Sequence, residues 1–72
     1  MKNYELDLKN SKIDYIPQTQ RKYFKKAVEY CQKNNFFGCK INRVVFIFDF
    51  EKLEVNIRSS RSYNTTYKMK EV

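Results

Sequence analysis

Two clusters in this chain hold side chains suited to binding anions. The first is Arg21-Lys22-Tyr23-Phe24-Lys25-Lys26, with Lys33 further on. The second is Arg58-Ser59-Ser60-Arg61-Ser62-Tyr63, followed by Lys68. Ammonium groups neutralise phosphates as point charges, whereas a guanidinium fork takes two oxygens in one plane. Tyrosines interleaved with such cations can stack on a base or sugar, and hydroxyls in a turn suit phosphate oxygens. Nucleic-acid or partner binding is therefore expected at Arg21, Lys22, Tyr23, Lys25, Lys26, Lys33, Arg58, Arg61, Tyr63 and Lys68.

The charge is unevenly distributed. Fifteen Lys and Arg against eight Asp and Glu give a formal net charge of +7. Residues 1–20 sum to zero, 21–43 to +6, 44–57 to −2 and 58–72 to +3. A field of this sign favours encounter with nucleic acid or an acidic protein and opposes self-association.

Other chemistries find little support. Without histidine the chain lacks the commonest general base and metal ligand. A single glycine, Gly38, cannot build a phosphate-cradling loop or a nucleophile elbow. Cys31 and Cys39 fall short of the four ligands that zinc requires, and two buried thiols are expected there. Asp49 and Glu51 share a strand face but stand at a hairpin end without a third ligand, and Asp7-Leu8-Lys9 is an acidic-x-Lys pattern frequent by chance. No metal, cofactor or catalytic residue is assigned.

Chain length sets the architecture that must carry the basic clusters. Seventy-two residues allow one small domain over 1–72, and six Tyr with six Phe supply apolar area for its core. Tyr4, Leu6 and Leu8 alternate with polar neighbours as a first strand. Lys9-Asn10-Ser11-Lys12 reads as a turn, and Ile13–Ile16 as a short apolar segment stopped by Pro17. A helix is expected from an N-cap at Thr19 to about Asn34, burying Phe24, Ala27, Val28 and Cys31 while Tyr23 and Tyr30 flank that stripe. Asn34-Asn35 suits the left-handed conformation that ends helices.

Strands follow over Lys40–Asp49 and Lys52–Arg58, joined by a hairpin near Phe50-Glu51-Lys52. Val44, Phe46, Phe48 and Phe50 share a face with Leu53, Val55 and Ile57. A last strand alternates Tyr63, Thr65, Tyr67 and Met69 with polar residues and is expected at a sheet edge, where Lys68 and Lys70 would discourage unwanted pairing. The class is α+β, with one helix on one face of a three- to four-stranded antiparallel sheet in the order β-α-β-β-β.

Val45 and Ile47 must then point away from the helix and form a candidate apolar interface. The Ile13–Ile16 segment, a second copy in a homodimer through the open sheet face, or a docking partner would cover it. No stretch has the length of a membrane span or the apolar core of a signal peptide, so a cytoplasmic protein with no membrane contact is expected.

The functional expectation is a small non-enzymatic binding protein whose basic, Tyr-interleaved surface engages nucleic acid or a nucleic-acid–protein complex. Lys, Asn, Tyr, Ile and Phe supply 35 of the 72 residues, a bias of AT-rich genomes that phages and plasmids share. The alternative is accordingly a phage- or plasmid-encoded inhibitor docking on a host protein, such as a defence-system nuclease or polymerase. A third reading comes from Arg58, Arg61, Tyr63 and Tyr67. In residue type alone they resemble the small toxin ribonucleases of the RelE type, which cut RNA with Arg, Lys and Tyr. This chain is shorter than that family and has one expected helix where those proteins have two, so no catalytic role is carried over.

Overall fold

Residues 44–49, Val-Val-Phe-Ile-Phe-Asp, are apolar on both alternating faces, so their neighbours must decide which side turns inward. The computed structural model, which describes residues 2–11, 16–59 and 64–72, shows how. Strand β1 (Tyr4–Asp7) is followed by one helical turn, α1 (Leu8–Ser11), and by the long helix α2 (Gln18–Asn34). Strands β2 (Gly38–Ile41), β3 (Val44–Asp49), β4 (Glu54–Arg58) and β5 (Asn64–Glu71) complete the chain. They form one antiparallel sheet in the order β1-β5-β4-β3-β2. The α+β class is as expected, but the sheet has five strands.

The register pairs Phe46 with Ile57, Phe48 with Val55, Val55 with Tyr67 and Leu6 with Met69. These side chains meet Phe24, Ala27, Val28 and Cys31 of α2, the stripe expected from its 3.6-residue period. Phe46 and Phe48 stack at 6.2 Å between centroids, Phe48 and Phe50 at 5.1 Å, and Phe24 tilts onto Phe48 at 6.1 Å. Ile16 is also buried in this core. It packs on the helix side of the sheet and not over Val45 and Ile47. Residues 13–15 lie outside the described residues.

Local side-chain chemistry moves several boundaries from their expected places. Leu8 does not extend the first strand. The Asp7 carboxylate accepts the Asn10 N–H at 3.2 Å and Asn10 Nδ2 at 2.6 Å, bending the chain into α1. Those bonds hold the Asp7 carboxyl below its ordinary value of 3.8. Helix α2 starts after Pro17 (φ −54°, ψ 138°), so Thr19 falls inside its first turn and is not the N-cap. At the other end Asn35 takes the left-handed conformation, and the Phe36 N–H reaches back to the Cys31 carbonyl at 2.9 Å.

The expected Lys40–Asp49 strand is two strands. Asn42 and Arg43 both have positive φ, 48° and 68°, the signature of the two-residue hairpin turn whose twist matches its strands. Strand β4 begins at Glu54 and not at Lys52, because Asp49 Oδ1 accepts the N–H groups of Glu51 and Lys52 and Leu53 turns left-handed at φ 55°. Strand β5 is not an edge. It lies between β1 and β4, with Lys70 opposite Glu5 and Lys68 opposite both Asp7 and Glu54.

One buried polar contact ties the helix to the sheet. Gln20, fully buried, donates from Nε2 to Ser59 Oγ at 3.3 Å and accepts from Tyr67 Oη at 3.4 Å. It holds the first turn of α2 over the end of β4 and the middle of β5.

The two faces of β3 should respond differently to truncation. Phe46→Ala is expected to cost about 3–5 kcal/mol and to leave so small a domain largely unfolded. Ile47→Ala on the opposite face should cost less than about 1 kcal/mol. Urea denaturation followed by circular dichroism compares them, and equal losses would contradict the assignment of faces.

Candidate nucleic-acid interface

The sheet face away from α2 is ordered by charge along its strands. One row across it reads Asp7, Lys68, Glu54, Asp49; the next Thr66, Asn56, Ile47, Gly38; the next Asn64, Arg58, Val45, Lys40. Acidic groups gather at the Asp49 end and cations at the Val45 end, about 13 Å apart at strand rise. Lys40, Arg43, Val45, Arg58 and Ser59 line a shallow groove of about 360 Å³ at the basic end.

The turn between β2 and β3 extends this end onto the helix. Asn42 Nδ2 donates to Tyr23 Oη at 3.1 Å, and the Lys22 and Lys26 ammoniums lie 5.6 and 6.0 Å from the centre of the Tyr23 ring. Lys22, Lys26, Lys40, Arg43 and Arg58 thus form a band around one end of the molecule. Among the described residues none of the five is in an ion pair. Tyr23 is half-buried and engaged through both ring and hydroxyl, so it positions lysines more than it offers a free stacking face.

Arg58 is braced by its neighbours on the sheet. Its Nε donates to Asn56 Oδ1 at 2.8 Å, while Asn56 Nδ2 donates to Asn64 Oδ1 at 2.7 Å and Thr66 Oγ1 at 3.0 Å. Among the described residues this engages one of the five guanidinium donors. The first turn of α2 points its partial positive charge to the same end, since Gln20 bonds the neighbour of Arg58, and no side-chain cap is made there among the described residues.

The other expected site residues are dispersed. Arg21 and Lys25 line another groove along α2 with Tyr4, Leu6 and Phe24, and Lys22 reaches its rim as well as the Tyr23 ring. Lys33 is exposed in the last helical turn, where a cation complements the helix dipole. Lys68 is spent: its ammonium pairs with Glu54 at 2.5 Å and its N–H donates to Ser11 Oγ at 2.7 Å. Arg61 and Tyr63 lie outside the described residues. Val45 is partly buried among the cations, and Ile47, 40% exposed, lies in a different groove with Phe37, Asp49 and Glu54.

Lys40, Arg43 and Asn42 were missing from the sequence-derived set because they sat inside an apparently continuous strand. Asn42 was the available signal, since asparagine tolerates positive φ and a ten-residue strand is longer than most. Among the described residues there is no group of three or more Cys, Asp and Glu placed to hold a metal ion, and no helix long and apolar enough to cross a membrane. No protein family, curated protein or solved structure matches this chain.

The cysteines are free thiols close to one another beneath α2 and β2. Burial, then the hydrogen bond that its S–H donates to Cys39, pushes the Cys31 thiol up from 9.0 to about 12, and burial raises Cys39 as well. Folded Cys31 should therefore resist iodoacetamide at about pH 8, and mass spectrometry of the labelled protein reads this directly. The unfolded thiol ionises at its ordinary value while the folded one stays protonated. Its contribution to stability is therefore complete below pH 9.0 and is lost as pH rises towards about 12. Cys31→Ala should lose less stability over that interval, and rapid labelling of folded protein would contradict the shift.

Proposed function

We propose that the protein acts by binding, and that its basic end takes the phosphate backbone of a nucleic acid. The observation that carries this reading is the convergence of Lys40, Arg43 and Arg58 on one groove, joined through the Asn42–Tyr23 hydrogen bond to Lys22 and Lys26. A solvated face that served only solubility would gain nothing from mixing its cations away from carboxylates. Here the carboxylates of β3 and β4 sit at the far end of the sheet, and Arg58 is braced by a network of neutral amides.

The chemistry favours contact with backbone over readout of bases. Five cations at one end can neutralise phosphates, whereas among the described residues the exposed rings of Tyr30 and Phe36 adjoin only Lys40 of the five and Phe37 lines the acidic groove. Association should be fast, strongly salt-dependent and tolerant of sequence.

Fluorescence anisotropy with a labelled duplex at several salt concentrations tests this. Five neutralised phosphates give a slope of log affinity against log salt of about −4.5. Arg43→Glu combined with Arg58→Glu should weaken binding at least about tenfold and flatten that slope by about 0.9 per lost phosphate contact. Lys68→Gln, which removes an already paired charge, should leave both nearly unchanged. Absence of binding in dilute buffer, or equal loss in all variants, would refute the proposal.

A further inference from the structure

The outer edge of β2 has no neighbouring strand among the described residues. Its orientation follows from the turn. In a two-residue hairpin the residues flanking the turn, Ile41 and Val44, form a hydrogen-bonded pair, and such pairs alternate with non-bonded ones along the ladder. Cys39–Phe46 and Phe37–Phe48 are then bonded pairs, as the Phe48 N–H to Phe37 carbonyl bond of 2.6 Å bears out. Gly38 and Lys40 therefore direct their N–H and C=O groups away from β3. Strand β2 ends the sheet, so these four groups face outward along an unpaired edge.

A groove of about 320 Å³ runs beside that edge, lined by Tyr30, Phe36, Gly38, Cys39, Lys40 and Ile41. Tyr30 and Phe36 are each 49% exposed, with ring centres 5.9 Å apart. Lys26 and Lys33 lie four and three residues from Tyr30 on α2, and Lys40 is the cation that lines the groove itself. No carboxylate lines it among the described residues.

We propose that an extended acidic peptide segment of a partner protein adds to this edge as a sixth strand. Its main chain pairs with Gly38 and Lys40. Its apolar side chains on one face enter the groove against Tyr30, Phe36 and Ile41, and its carboxylates, directed by strand alternation to the other face, meet Lys40 on the open side of the sheet. Main-chain bonds supply affinity and the groove selects alternate side chains, the pattern of β-strand addition. A second copy of this chain suits the edge less well, because two copies would bring +7 and +7 together with Lys40 near Lys40. The site is distinct from the phosphate-binding band except for Lys40.

Proline provides a selective test. Because the Lys40 N–H points outward, Lys40→Pro removes a donor without removing a bond to β3, the one kind of strand position that admits proline. Lys40→Ala removes the charge alone. The probe is a fluorescent peptide of alternating valine and glutamate about eight residues long, compared with the same peptide N-methylated at alternate residues. Circular dichroism checks that each variant is folded.

Strand addition requires Lys40→Pro to weaken peptide binding at least about tenfold and Lys40→Ala less than about threefold. The methylated peptide should not bind, and the amides of Gly38 and Lys40 in the unmodified chain should gain protection from hydrogen exchange when peptide is added. Should Lys40→Pro fail to fold, that protection decides the matter. Equal losses in the two variants, binding of the methylated peptide, or unprotected Gly38 and Lys40 amides at saturation would overturn the inference. So would a peptide-free dimer that protects the same amides. Affinity for duplex should fall equally in the two Lys40 variants, so the peptide inference and the polyanion reading can fail separately.

Discussion

Everything in this domain depends on which face of β3 turns towards the helix, and β3 alone does not decide it. Val44, Phe46 and Phe48 alternate with Val45 and Ile47, so a slip of one residue would exchange one apolar set for another. The decision comes from the partners. Val55 and Ile57 alternate with Asn56, and Tyr67 and Met69 with Thr66 and Lys68, so only one register keeps amides and ammoniums out of the core. The Asn42-Arg43 turn then pins that register at its end, because two positive φ values in succession admit only a tight hairpin.

That same turn creates the basic surface. It folds Lys40 back beside Arg58, lifts Arg43 to the tip, and brings Asn42 within hydrogen-bond reach of Tyr23 on α2. Helix and sheet therefore contribute cations to one end of the molecule, while Asp49, Glu51 and Glu54 collect at the other end of the open face. The result is a small domain with an electrical polarity along its strands. The turn also ends the sheet after the four residues of β2, leaving an edge with two outward-facing residues between an aromatic groove and the basic band.

The features legible in the sequence are those with a strict period. The α2 stripe, the inward faces of β3 and β4 and the α+β class follow from spacings of 3.6 and 2.0. Features set by one side chain against its local backbone were not legible. Nothing in Lys40-Ile41-Asn42-Arg43-Val44 carries the glycine that usually marks such a turn, so one long strand was the natural reading. Asp7 likewise ends β1 through Asn10, and no periodicity announces it. The central place of β5 was hidden because its outward residues are polar, as expected of an edge, whereas here the whole open face is polar and Lys68 is paired with Glu54. Of the site, Lys22, Tyr23, Lys26 and Arg58 were found from charge and aromatic spacing; Lys40 and Arg43 depended on the missed turn.

The central claim is that the basic end formed around this turn is where a polyanion sits. The most direct test is amide chemical-shift mapping of the labelled protein as unlabelled duplex is added at low salt. The account predicts that the largest shifts fall on Tyr23, Lys40, Asn42, Arg43 and Arg58, with Glu51 and Glu54 unmoved. Shifts centred instead on Arg21 and Lys25, or on the groove around Phe37 and Ile47, would contradict it.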